Sequence, residues 1–259
     1  MTVRPDYNAI TESPGLKASK EQLARIYHRY NFADGYTATR DVLEVACGSG
    51  IGLGFLAQRA KSVVGGDIDK KNIDFATALY KNTPIQIQEI DAHSLPFKES
   101  SFDVVLLFEA IYYLVHPETF VQEAFRVLRP KGLLIICTVN KDWADFHPSP
   151  FTHQYFSVPQ LGNLLKIHFG KVEFYGAFST VSSGLLGWGV SLLKRLATRF
   201  HLIPGSLAAR AYLKRIFIGP LQPLPERIHA NMVPYAPSIS IPGEQSTSDY
   251  KIIYAVGRK

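Results

Sequence analysis

At 259 residues with 46% apolar side chains, the chain can bury one large α/β core with an insertion, or two small domains. Its net charge of +6 resides in one segment: from Gly176 to Ser240, Lys194, Arg195, Arg199, Arg210, Lys214, Arg215 and Arg227 stand against the single acid Glu226, and the remainder is near neutral. Cys47 and Cys137 lack metal-ligand spacing and read as buried thiols, and MTVRPDYNAI has no apolar stretch for a secretory signal, which argues against a disulfide scaffold and a secreted class and for a cytoplasmic setting.

Residues 1–18 read as irregular, with Pro5, Pro14 and Gly15. Ser19 and Gln22 then form a capping-box signature, and EQLARIYHRYNFA predicts a helix with Leu23, Ile26, Tyr27 and Tyr30 on one face. VLEVACGSGIGLG, Val42 to Gly54, predicts a buried strand, a tight turn and a helix running to about Ala60. Glycine allows positive φ and close approach of a ligand to the backbone, and a helix start offers unpaired N–H groups, so a polar or anionic ligand part belongs there. The dinucleotide fingerprint G-x-G-x-x-G fails, because counting from Gly48 or from Gly50 its last glycine falls on Leu53 or Phe55. SVVGGD predicts a second strand ending at Asp67, a position from which a carboxylate can accept both hydroxyls of a ribose. Asp69 reads as the cap of the next helix, which runs through Leu79.

IQIQEI predicts a third strand ending at Asp91, and DAHSLPF a turn closed by Pro96 and containing His93. SFDVVLLF has the continuous apolar pattern of a central parallel strand and leads into EAIYYL, where a parallel sheet places ligands. A helix, HPETFVQEAFRVL, and a strand, RPKGLLIICTV, follow. Glu44, Ala46, Gly48 and Gly50 resemble the acid-x-G-x-G-x-G motif of class I S-adenosylmethionine-dependent methyltransferases, with alanine at the first glycine. EAFRVLRPKGLLII is similar to the helix, turn and fifth strand of the ubiquinone/menaquinone-biosynthesis-like, or type 11, branch, and the resemblance covers about residues 40–140.

That resemblance implies an α/β fold: a Rossmann-like, doubly wound, seven-stranded sheet, mostly parallel with an antiparallel last strand. The chain divides into an N-terminal lid segment at 1–40, a cofactor-binding core at 41–178, a helical, basic cap at 179–245 and a completing strand at 246–259; in the resembled fold the last two strands form an antiparallel hairpin, so the cap is a departure from it. The implied cofactor is S-adenosylmethionine, with contacts from Tyr27, Glu44, Ala46, Cys47, Gly48, Gly50, Asp67, Ile68, Asp91, Ala92 and Phe108. As a lid, the first helix would present Tyr27, His28 and Tyr30; as an amphipathic helix it would simply pack on the sheet. The implied reaction is methyl transfer to an oxygen, nitrogen or carbon nucleophile of a small-molecule or lipid-linked acceptor. His147, His153, Glu109 and Tyr113 are the candidate catalytic residues, with His28 a further candidate base and Tyr112 a candidate orienting group. The alternative is a protein of this fold that binds S-adenosylmethionine or a partner without catalysis. No metal is required.

Beyond Asn140 the chain is aromatic and histidine-rich, then SVPQLGNLLKIHF predicts a helix capped by Ser157, KVEFYGAF a sixth strand and DYKIIYAVGRK the last. Between those strands, GLLGWGVSLLKRLATRFHL and SLAARAYLKRIFIGP predict two apolar, basic helices. The uncharged run from Phe174 to Leu193 is too rich in glycine and serine for a membrane span. The cap reads either as a lid or dimer surface, or as a peripheral contact with an anionic membrane or lipid-linked substrate. Its basic residues are interleaved with aliphatic ones, so no nucleic acid partner is expected.

Overall fold

The computed structural model describes residues 12–149, 151–180 and 220–259. The elements follow as β1 (Lys17–Ala18), α1 (Lys20–Thr37), β2 (Asp41–Val45), α2 (Leu53–Leu56), β3 (Ser62–Asp67), α3 (Lys70–Tyr80), β4 (Gln86–Glu89), β5 (Phe102–Phe108), a 3-10 turn at Ile111–Tyr113, α4 (Pro117–Val127), β6 (Leu128–Val139), α5 (Val158–Lys166), β7 (Lys171–Ser179), β8 (Gln222–Pro223), β9 (Ile239–Ile241) and β10 (Tyr250–Arg258). Both capping boxes form: Ser19 with Gln22 starts α1, and Ser157 with Gln160 starts α5.

One sheet has the order β4-β3-β2-β5-β6-β10-β7-β9. β2 pairs in parallel with β3 on one side and β5 on the other, so the strand order reverses at the end of β2 and opens a crevice there. β10 runs antiparallel between β6 and β7. Apolar clusters cover both faces. Tyr30, Phe32, Leu53, Leu56 and Tyr254 pack under α1, and Phe120, Val121, Leu161 and Leu165 anchor α4 and α5 on the other face.

Three expectations need correction or delimiting. Among the described residues the sheet has eight strands, because Ile239–Ile241 pairs antiparallel with β7 inside the segment read as cap; three residues are too few to show a strand period. The helix after the glycine loop ends at Leu56 rather than near Ala60, and Ala57 to Arg59 continue only as turns. The two cap helices lie outside the described residues. Among the described residues, no helix is long and apolar enough to cross a membrane.

Candidate functional site

The crevice at the switch point is a cavity of about 510 Å³ in the size range of small-ligand sites. Its floor is the loop after β2. Ala46, Gly48 and Gly50 there all have positive φ, at 57°, 57° and 77°, which favours glycine and costs an alanine roughly 1 kcal/mol. Tyr80 of α3 buttresses the turn, its hydroxyl donating to the Gly50 carbonyl (2.8 Å) and accepting from the Gly54 amide (3.0 Å). Gly50 is not a wall residue; it shapes the loop, whereas Ala46, Cys47, Gly48 and Ser49 line the cavity. The Cys47 thiol is buried, which pushes its pKa up and keeps it protonated.

Asp67, at the end of β3, is buried and lines the same cavity. Its Oδ2 accepts the Gly48 amide (2.9 Å), and its Oδ1 accepts the Asp69 amide (2.9 Å) and the Asn72 side chain (3.3 Å). Oδ2 therefore keeps the more open lone pair for an incoming hydroxyl. Burial raises the Asp67 pKa, and the Asp69 and Gly48 amides oppose the rise. Ile68 beside it is 36% exposed, and it faces the cavity together with Ala92 and Ile90, an apolar pair of walls suited to a flat base. Asp91 also lines the cavity and holds the His93 ring, with His93 Nδ1 2.8 Å from its Oδ1.

Glu44, on β2, is 1% exposed; Tyr30 of α1 donates to its Oε1 at 2.6 Å, and Oε2 has no hydrogen-bond partner. Burial pushes its pKa up to about 7, opposed by the Tyr30 hydroxyl and Arg29. A buried carboxylate with an unpartnered oxygen is costly, and such groups concentrate at functional sites.

At the other end stand Phe108, Glu109, Tyr112 and Tyr113, at the end of β5 and in the turn after it. Glu109 has φ +50°, an unusual conformation for a non-glycine residue, and its amide N–H donates a hydrogen bond to the Cys137 carbonyl (2.8 Å). Tyr112 donates to Glu109 Oε2 at 2.8 Å, and the Cys137 thiol to Oε1 at 3.8 Å. Burial raises the Glu109 pKa against the opposing pull of Arg29 and Tyr112. The Tyr113 phenol is pushed up to about 12, chiefly by burial, and stays a neutral donor.

The other residues singled out in the sequence stand elsewhere. His147 and His153 are exposed and outside the cavity wall; the His153 amide donates to the Tyr112 carbonyl (2.9 Å), and Tyr155 of the same loop packs on Tyr112. Tyr27 is also outside the wall: it packs edge-on against Phe55 and Tyr235, and its hydroxyl accepts the Asn231 amide (2.9 Å). His28 is a buried pin, with Nδ1 2.6 Å from the Tyr254 hydroxyl and Nε2 2.9 Å from the Ala236 carbonyl; burial lowers its pKa, opposed by the bond to the Ala236 carbonyl. From α1 the cavity receives instead Gln22, Arg25, Arg29 and Tyr30, with Glu12 from the segment before it. An arginine every four residues on an otherwise apolar helix face was the sequence signal for these, since such a side chain must find a polar enclosure.

Five carboxylates (Glu12, Glu44, Asp67, Asp91 and Glu109) thus face two guanidiniums (Arg25 and Arg29) across one cavity. A cationic ligand carrying a hydroxylated sugar and a flat apolar base fits this set. S-Adenosylmethionine has these parts: the glycine loop and Asp67 would hold its ribose, Ile68, Ala92 and Asp91 its adenine, and the acid excess suits its sulfonium. Among the described residues no cluster of histidine, cysteine and carboxylate side chains is arranged to hold a metal ion.

Comparison with known proteins agrees with S-adenosylmethionine as the cofactor. Residues 43–136 match the family model described as a methyltransferase domain. A probable S-adenosylmethionine-dependent methyltransferase of Mycolicibacterium smegmatis is 34% identical over 175 residues, covering 63% of this chain and 66% of the relative. A phthiotriol/phenolphthiotriol dimycocerosates methyltransferase of Mycobacterium ulcerans is 36% identical over 110 residues, 42% of this chain and 38% of the relative. A ubiquinone biosynthesis O-methyltransferase of Bartonella bacilliformis is 26% identical over 126 residues, 48% of this chain and 51% of the relative. The chain thus spans between 38% and 66% of the length of these relatives. In fold it is similar to a crystal structure from Thermotoga maritima described as a methyltransferase and possible histamine N-methyltransferase. That match has a TM-score of 0.59 and 15% identity, and covers 92% of this chain and 90% of the other. With the strand order, the glycine loop and the carboxylate at the end of β3 in place, the chain belongs to the class I S-adenosylmethionine-dependent methyltransferase family.

Proposed function

We propose that the protein transfers a methyl group from S-adenosylmethionine to a nucleophile of a small-molecule or lipid-linked acceptor, with Glu109 as the group that takes the acceptor's proton. The observation that carries this reading is that one cavity holds the donor motif at one end and, at the other, a buried carboxylate oriented by Tyr112. The bound sulfonium supplies an already electrophilic methyl group. The chain's own part is then alignment, exclusion of water and proton removal. Tyr113, on the same wall, orients the acceptor. His147 and His153 are not given a role, because neither reaches the cavity wall.

Leu114 and the 56% exposed Val115 give the mouth an apolar border, which supports an acceptor that is large or partly apolar. The names of the Bartonella and Mycobacterium ulcerans relatives support the same class. We extend the reading to the N-terminal segment, which acts as a lid through α1, and to the basic segment before β9, which acts as a cap on the acceptor. The test is release of S-adenosylhomocysteine on incubation with phenolic and lipid-linked acceptors. Glu109→Gln is expected to lower kcat about 100-fold while S-adenosylmethionine affinity stays within about twofold. Unaltered turnover by that variant would remove Glu109 from the chemistry.

A further inference from the structure

Behind the Glu109 carboxylate runs a row of polar side chains that reaches through the sheet to α1. Cys137 of β6 is buried, and its thiol donates to Glu109 Oε1 at 3.8 Å. Tyr254 of β10, also buried, stands directly opposite Cys137 in the antiparallel register, and its hydroxyl is a hydrogen-bond partner of the thiol. That hydroxyl lies 2.6 Å from His28 Nδ1, and His28 Nε2 lies 2.9 Å from the Ala236 carbonyl. The last bond fixes the direction of the others. A carbonyl only accepts, so the His28 ring carries a hydrogen on Nε2 and, in the neutral form that burial favours, offers a lone pair at Nδ1. Tyr254 then gives its hydroxyl hydrogen to His28 and turns only lone pairs toward Cys137. The thiol is left with one hydrogen and two acceptors, Glu109 Oε1 and the Tyr254 oxygen. Burial pushes its pKa up, so that hydrogen stays on the sulfur.

A carboxylate that takes up a proton needs two bonding arrangements. Ionised, Glu109 accepts the Tyr112 hydroxyl on Oε2 (2.8 Å) and the Cys137 thiol on Oε1. Once protonated, one of its oxygens is itself a donor, and the neighbour on that oxygen has to stop donating. The phenol bond is short and the thiol bond long, so the thiol is the one that yields. We propose that Cys137 is a positioning residue for Glu109: its thiol hydrogen points to Oε1 while the carboxylate is ionised and turns to the Tyr254 oxygen when Oε1 takes up the acceptor's proton, with His28 keeping that oxygen free to accept it. This rests on the reading of Glu109 as the group that removes that proton. In the second arrangement the new Glu109 O–H donates to the sulfur, the S–H to Tyr254 and the Tyr254 O–H to His28, so each hydrogen keeps an acceptor. None of them changes its parent atom, and Glu109 later returns its proton to water. Arg25, Arg29, Glu12 and Tyr113 also bear on the Glu109 charge, and the test leaves all four in place.

The test is infrared spectroscopy of the thiol S–H stretch in the full chain, titrated from about pH 4 to about pH 9. The chain has only two thiols, Cys47 and Cys137, and the band that Cys137→Ala removes is the one to follow. In wild type that band shifts in one titration step, whereas in Glu109→Gln, which has no carboxyl to ionise, it keeps one position. Tyr254→Phe removes the thiol's second acceptor, and His28→Phe releases the Tyr254 hydroxyl to donate to the sulfur. Each variant therefore disfavours protonated Glu109 and lowers the midpoint of the step by about one pH unit, a 10-fold loss of proton affinity. Should one of the two not fold, the other carries the comparison. A band that stays fixed in wild type, a step that persists in Glu109→Gln, or a wild-type midpoint in the folded variants would each overturn the proposal, the last being what a purely packing role predicts. If the midpoint falls as stated while Glu109→Gln releases S-adenosylhomocysteine as fast as wild type, the two thiol positions stand and the reading of Glu109 as proton acceptor is what fails.

Discussion

Glu44 and Asp67 carry opposite burdens at the same site. Glu44 is the more costly, because its charge has one hydroxyl donor where a carboxylate wants several. With its pKa raised to about 7 from 4.5, the folded state holds a proton that the unfolded state has lost between those values. Its contribution is thus present below about pH 4.5 and is lost as pH rises through 7. Glu44→Gln is expected to stabilise the chain at pH 8 by up to about 3 kcal/mol, less what the unpaired amide costs, and to do nothing at pH 4. Denaturation midpoints at the two pH values measure this, and a pH-independent difference would contradict it. Asp67, by contrast, is well supplied with donors, and its value lies in Oδ2. Asp67→Ala is expected to weaken S-adenosylmethionine binding by about 10- to 100-fold, measured by calorimetry. Wild-type affinity would show that the sugar is held elsewhere.

At the scale of elements, the site depends on how closely α1 approaches the glycine loop. A Cβ on Gly52 would lie 2.0 Å from the Tyr30 ring, and that ring cannot swing away without losing Glu44. Gly52→Ala is therefore expected to destabilise the chain by about 1–3 kcal/mol, and by clearly less in a Tyr30→Leu background. Equal costs in both backgrounds would show that the contact is not the cause. This approach explains where the sequence was legible. The strand, loop and carboxylate from Val42 to Asp67 could be read because each is local: a run of strand formers, a turn chemistry and a strand end. The choice between Tyr27 and Tyr30 was not local. Both lie on the apolar face of α1, and only the packing of Tyr27 against Phe55 and Tyr235 turns Tyr30 to the cavity. Likewise, nothing near His147 or His153 in sequence indicates that their loop packs through Tyr155 instead and leaves both histidines exposed.

Across the whole molecule, the switch between β3 and β5 on either side of β2 gathers the functional groups. The strand order could be anticipated from the family resemblance, but the added edge strand β9 could not, because its three residues carry no period of their own. The described part of the connection between β7 and β10 returns to the donor loop, where the Ile228 amide donates to the Ile51 carbonyl (3.1 Å) and the Arg227 guanidinium to the Leu79 carbonyl. The most direct measurement is a crystal structure of the chain grown with S-adenosylmethionine. The account predicts the ribose at Asp67, the adenine between Ile68 and Ala92, and the methyl group directed toward Glu109 and Tyr113. Density for the ligand outside this cavity, or a cavity filled by side chains at saturating ligand, would contradict it.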